Sequence, residues 1–201
     1  MTLADPANLF RLMHYFDVLA AVVFASWAGG DRSTPRSTLS LAAMVAVTVV
    51  PIAPGEEGPL ANLLQLYQYD FSQIEPSDVA SDGRFHQLDD VAFEYAYLVY
   101  ASGQLAGFAL VGRDASHAIE GDMIWSMEEF FIMRKYRRAS IGTRAARLVI
   151  ERHPGTWEIT QTPHNTGALA FWRQALAPYA FEEGSFDHPG GGRRSLQRFV
   201  R

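Results

Sequence analysis

The chain has 201 residues, 48% of them hydrophobic and 19% charged, a balance that buries a core and does not describe a disordered segment. A net charge of −5 argues against nucleic acid as a partner, because phosphate binding calls for a basic footprint. The absence of cysteine excludes disulfides, thiolate metal sites and a thiol nucleophile, and fits a cytoplasmic protein.

Residues 1–41 read as an N-terminal extension, and residues 42–201 as the domain. The apolar stretch Asn8–Trp27 is interrupted by Asp17, and the run beyond it ends at Gly29. That is short of the roughly 20 apolar residues of a membrane helix. Ala25-Ser26-Trp27-Ala28 resembles a signal cleavage site, but Asp5, Asp17 and the scarcity of positive charge favour a packed or frayed extension. Met44–Ile52 is rich in β-branched residues and predicts a strand. After Pro54-Gly55, the spacing of Leu60, Leu63, Leu64 and Tyr67 predicts a helix from Gly58 to about Tyr69. Phe93–Tyr100 and Gln104–Val111 predict two strands around a Ser102-Gly103 turn, and Ile124–Met133 a third.

Ser140–His153 reads as a helix with Ile141, Ala145, Leu148 and Arg152 on one face, stopped by Pro154-Gly155. Trp157–Gln161 is a short strand. Asn165 can cap a helix running to Leu176, its side-chain oxygen accepting an orphan amide. Phe181–Phe186 and Ser195–Val200 close the chain as strands around Gly190-Gly191-Gly192. The order β-α-β-β-β-α-β-α-β-β makes an α/β domain with a mixed sheet flanked by helices.

Positive charge is gathered in one place. Residues 134, 135, 137, 138, 144, 147 and 152 are basic, against the single acid Glu151. There, Phe130 to Thr143 passes from strand through a basic loop into a helix. A helix N-terminus offers unpaired amides and a positive dipole end, so it can hold a phosphate. Small residues at Ala139, Ser140 and Gly142 let the backbone approach a ligand, while Arg137 and Arg138 add charge. A basic turn that merely caps the helix fits this segment equally well. The histidines at 14, 86, 118, 153, 164 and 188 include no pair at the close helical spacing of a zinc site, so no metal is expected.

The pattern Arg137-Arg138-Ala139-Ser140-Ile141-Gly142 resembles the Gln/Arg-x-x-Gly-x-Gly/Ala signature of the GNAT (GCN5-related N-acetyltransferase) superfamily, with Ser140 in place of its first glycine. Serine disfavours the backbone angles that glycine permits, so the loop is expected to differ slightly. Asn165 to Trp172 resembles the family's Asn-x-x-Ala-x-x-Phe-Tyr, and the stretch from Trp157 to Arg173 looks like a bacterial subgroup of predicted acetyltransferases. The resemblance implies a mostly antiparallel sheet whose central strands splay around acetyl-CoA. Arg137, Arg138, Ser140, Gly142 and Thr143 would then hold the pyrophosphate. Backbone groups near Phe131 and Ile132 would bond the pantetheine arm and polarise the thioester carbonyl. Asn165 and Phe171 would contact the arm's far end.

The expected reaction is transfer of the acetyl group to an amine of a small molecule or peptide. With no cysteine for a thiol acyl-enzyme, direct attack in a ternary complex is favoured. Candidate bases are Glu129, preferred, and Glu128, with Glu158 third; adjacent strand residues face opposite ways unless a bulge intervenes. Many relatives protonate the thiolate with a tyrosine where this chain has Trp172, whose indole is no practical acid; Tyr136 and Tyr179 lie nearby in sequence. A non-catalytic acyl-CoA-binding or sensing domain is the alternative, and an interfacial membrane anchor through Asn8–Trp27 a third reading. Monomer and homodimer both remain open.

Overall fold

The computed structural model describes residues 45–85, 95–117, 119, 121–188 and 191–201. The extension over residues 1–41, the domain start at residue 42 and the Gly190 end of the last turn lie outside the described residues. Elements follow in the predicted order: β1 Val47–Pro51, α1 Gly58–Phe71, β2 Tyr95–Ala101, β3 Gln104–Ala115, β4 Met123–Ile132, a 3-10 turn Arg134–Tyr136, α2 Ile141–Ile150, β5 Thr156–Gln161, α3 Thr166–Leu176, β6 Phe181–Asp187 and β7 Arg193–Val200.

The strands form one seven-stranded sheet in the order β1-β2-β3-β4-β5-β7-β6. Every neighbouring pair is antiparallel except β4 and β5, which run parallel because α2 connects them. That parallel pairing is brief. It joins Trp125 to Trp157 and Ser126 to Glu158, after which the two strands part. Helix α1 covers one face through Leu60, Leu63, Leu64, Tyr67 and Phe71, packed on Ala96, Leu98, Phe108, Leu110 and Phe131. On the other face, α2 and α3 bury Ile141, Ala145, Val149, Ala168, Phe171 and Trp172 against Met127, Phe130, Trp157 and Ile159. The sheet thus separates two apolar layers.

Three local readings are corrected. Strand β3 continues past Val111 to Ala115, because Gly112 to Ala115 pair with Ser126 back to Met123 although they carry no strand pattern. Helix α2 is shorter than Ser140–His153. Ser140 stands outside it as the N-cap, and beyond Ile150 the amides of Arg152 and His153 bond Val149 and Ile150 in a tight turn. Its buried stripe is Ile141, Ala145, Ala146, Val149 and Ile150; Leu148 is exposed. The helix is rotated so that its β-branched residues enter the core, and Arg152 reaches across to the Val49 carbonyl at 2.7 Å.

Candidate active site

The loop between β4 and α2 takes its shape from two residues with left-handed backbone, Arg138 at φ 62° and Ser140 at φ 57°. Ser140 therefore adopts a conformation for which glycine is the usual choice. A non-glycine residue there is strained by about 1–2 kcal/mol. No side chain caps α2, so its first-turn amides open toward the loop. At Gly142 an added Cβ would lie 3.1 Å from the Phe171 ring and 3.5 Å from Ile132 Cγ1, so only hydrogen fits comfortably between them.

These residues enclose a cleft of about 160 Å³ lined by Ile132, Arg137, Arg138, Ser140, Gly142, Phe171 and Gln174. Six of the candidate cofactor residues meet there. Thr143 is half-buried in the first turn of α2. Phe131 and Asn165 do not line the cleft: the Phe131 ring packs with Tyr67 in the α1 layer, and Asn165 is buried, its side-chain oxygen accepting the Ala168 amide at 3.0 Å. Gln174, one helical turn beyond Phe171 on α3, escaped the sequence reading.

Arg137 lines the cleft, but its guanidinium is also engaged by neighbours the sequence did not indicate. Its Nη2 contacts Asp70 Oδ2 at 2.6 Å, its Nε donates to the Ile132 carbonyl at 2.6 Å, and its side chain is only 9% exposed. Burial pulls the guanidinium pKa down and the Asp70 carboxylate pushes it back up. Arg137 is thus a strut that ties the end of α1 to the end of β4. Asp70 also binds Arg134 at 2.6 Å. It falls three residues after Tyr67 on the buried stripe of α1, and an acid on such a stripe signals a buried partner.

The Ile132 carbonyl is consequently occupied. Met133 N–H bonds the Ala106 carbonyl of β3, so strand alternation turns the backbone groups of Ile132 and Phe130 toward the open edge, and those of Phe131 toward β3. Past Ser126 that edge has no strand partner among the described residues.

Glu128 and Glu129 do not face opposite ways. The register of β3 against β4 shifts between Leu110 and Val111, which pair with Glu129 and Met127, so Glu128 is the bulged residue. Met127 and Phe130 both pack in the α2 layer, which leaves the two carboxylates between them on the α1 face. Glu129 is 3% exposed and accepts a hydrogen bond from the Tyr67 hydroxyl. Burial holds its carboxyl well above the usual carboxylate range. The Tyr67 bond offsets this in part, and the charges of Glu128 and Glu75 push it up further. Burial, first, and then Glu129 also raise the Tyr67 hydroxyl well above its ordinary value.

The other candidates are engaged elsewhere. Glu158 accepts Ser116 Oγ at 2.5 Å, the His117 amide at 2.7 Å and Arg198 at 2.7 Å, a set of bonds that suits a structural carboxylate. Trp172 is fully buried in the core and its indole Nε1 has no partner. Tyr179 bonds Glu151 at 2.8 Å, and burial together with that carboxylate moves its hydroxyl up to about 12. Tyr136 packs at the margin of the α2 layer.

A mostly antiparallel sheet opened at its one parallel pair, with an uncapped helix at the opening, is the architecture of an acyl-group transferase. The profile of the Acetyltransferase (GNAT) family matches residues 60–176, and the chain belongs to that family. No curated protein matches it. Among solved structures it is similar to a GNAT-family acetyltransferase of Streptococcus agalactiae, at 15% identity and TM-score 0.56, covering 77% of this chain and 95% of that one. A protein of Pyrococcus horikoshii aligns at 14% identity and TM-score 0.58, covering 78% and 99%. An acetyltransferase of Thermus thermophilus aligns at 16% identity and TM-score 0.50, covering 78% and 96%. At such identities the likeness speaks for the fold.

Proposed function

We propose that the chain transfers an acetyl group from acetyl-CoA to an amine of a small molecule or peptide, by direct attack within a ternary complex. One observation carries this reading: β4 and β5 cease to pair past Ser126, and at the far end of β4 Ile132 shares a cleft with Ser140 and Gly142 at the uncapped start of α2. The small residues and left-handed turns of the loop fit a pyrophosphate, because backbone amides can close on it. Arg138, Ser140, Gly142 and Thr143 would hold that group, while Arg137 acts through Asp70 and the Ile132 carbonyl to shape the loop. Phe171 would border the pantetheine arm. Amides on the open β4 edge, those of Phe130 and Ile132, are suited to polarise a carbonyl.

Bound acetyl-CoA supplies the activated acetyl group, its C–S bond breaking as the new C–N bond forms. Glu129, beside the apex of the gap, takes a proton from the ammonium so that the nitrogen lone pair is free to attack. The nitrogen's second proton passes through water to the departing thiolate, and Glu129 returns its own to solvent. A carboxyl with a raised pKa suits this task, since its proton affinity approaches that of the group it serves. Titration calorimetry with acetyl-CoA, followed by thiol release against an amine panel, tests the reading. Binding without turnover across the panel would favour a sensing domain, and absence of binding would defeat both.

A further inference from the structure

Helix α1 leaves one corner of its own face of the sheet open. Val47 and Val49 of β1 pack in the α2 layer, so strand alternation turns Thr48 and Val50 toward the α1 face. Both are exposed there, Val50 by 46%. Thr48 pairs with Tyr100 of β2, and Tyr100 with Leu105 of β3; these two are half-buried at the margin of the α1 layer. One row further along, Leu98 and Phe108 are buried. The result is a shelf made of Thr48, Val50, Tyr100 and Leu105. No residue of β1 or β2 is charged. On the same face α1 turns Leu66 and Tyr69 outward, at 50% and 63% exposure, and its single charged residue, Asp70, is buried.

The free edge of β1 is a poor template for an added strand. The Ala46 carbonyl and the Ile52 amide bond β2, so the backbone groups of Val45, Val47, Val49 and Pro51 point outward. Arg144 donates to the Val45 carbonyl and Arg152 to the Val49 carbonyl, and Pro51 has no amide to offer. A cover for this corner therefore lies on the face and not along the edge.

The chain itself supplies an occupant. Fifteen of the twenty residues Asn8–Trp27 are apolar, and Arg11 and Asp17 are the only charged ones. Apolar surface of that extent calls for a partner. Seventeen residues, 28–44, separate Trp27 from Val45, where the described chain begins and enters β1 beside Thr48. A coil of that length spans about 20–25 Å, several times the ~4.8 Å between strands, so the shelf is within reach. No charge of the shelf loses water when an apolar segment settles on it. We propose that Asn8–Trp27 packs on the α1 face of its own chain, on Thr48, Val50, Tyr100 and Leu105 and against the outer side of α1. So placed, it braces the helix whose inner side sets Tyr67 against Glu129.

The absence of cysteine makes the test direct. In the full-length chain, Val50→Cys is combined in turn with Phe16→Cys, Leu19→Cys and Val22→Cys, each checked for folding by circular dichroism, and the disulfide yield is measured under mild oxidation. In the controls Glu182→Cys, exposed on the opposite edge strand β6, replaces Val50→Cys. At least one Val50 pair is expected to close within a single chain, about tenfold or more above its control, at a yield that dilution does not change. Yields no greater than the controls overturn the proposal. Such a chain that sediments with phosphatidylcholine–phosphatidylglycerol vesicles has a membrane surface as its partner instead. Disulfides that join two chains and fade on dilution overturn it as well, and make a second copy the occupant. Val50→Glu gives an independent readout where a cysteine pair fails to fold. It is expected to speed chymotryptic cleavage after Phe16 and Phe24 about tenfold, because a carboxylate on the shelf would have to be desolvated. An unchanged cleavage rate in the folded variant overturns the proposal.

Discussion

Replacing Asp70 by alanine removes the anchor of Arg137, whose guanidinium is otherwise held, among the described residues, by the Ile132 carbonyl and the face of the Phe131 ring, 5.5 Å away. Both partners of the lost pair are nearly buried, at 9% and 7% exposure. Deleting one side of such a pair leaves an uncompensated charge and costs about 3–5 kcal/mol. The second partner, Arg134, is 54% exposed, so its share is about 0–1 kcal/mol. For a domain of this size the melting temperature should fall by roughly 6–20 °C. Urea unfolding of Asp70→Ala, Arg137→Met and the double variant gives the coupling energy, expected above about 2 kcal/mol. Asp70→Leu with Arg137→Met should recover much of the loss, since an apolar pair carries no desolvation penalty. A loss below about 1 kcal/mol in Asp70→Ala, or a coupling near zero, would refute the strut.

Glu129→Gln should flatten the pH dependence of stability. The carboxyl's pKa is raised in the fold, so the stability of the protonated form is fully present below the unfolded pKa and lost as pH rises through the folded value. Wild-type unfolding free energy should therefore decline from acidic to neutral pH relative to the variant; parallel urea curves at each pH would contradict this. Tyr67→Phe removes a bond that lowers the Glu129 pKa, so the acidic limb of kcat/KM should move to higher pH, and an unmoved limb would exclude Glu129 as the base. Ser140→Gly should stabilise the fold by about 0.5–1 kcal/mol, relief of the left-handed strain exceeding glycine's entropy cost. A lower melting temperature in that variant would contradict the strain. Asn165→Ala should cost about 1 kcal/mol in chemical denaturation through loss of the α3 cap.

Much of the architecture was readable because its determinants are local. The stripe Leu60, Leu63, Leu64 and Tyr67 specifies which side of α1 is buried before anything packs on it. Asn165 caps α3 with an atom three residues from the amide it serves. The basic loop before α2 was visible as a strand running into a helix through small residues, and six of its candidate neighbours share one cleft. The role of Arg137 was not visible. Its partner Asp70 stands 67 residues earlier in the chain, and only the packing of α1 on β4 brings the two together.

The same division runs through the acidic residues. Sequence alone established that Glu128 and Glu129 are adjacent on a strand that leads into the basic loop, and that no cysteine competes with them. Which way each points depends on the bulge, and a bulge belongs to the pairing of two strands rather than to either one. Tertiary structure turned both carboxylates to the α1 face, buried one against Tyr67 and set the other over Gly112 with Asp114 and Ser126. Glu158, equally acidic in the sequence, was taken up by Ser116, His117 and Arg198. Side-chain chemistry is written residue by residue. The neighbours that shift a pKa or occupy a lone pair come from distant segments, and so are set only when the sheet closes.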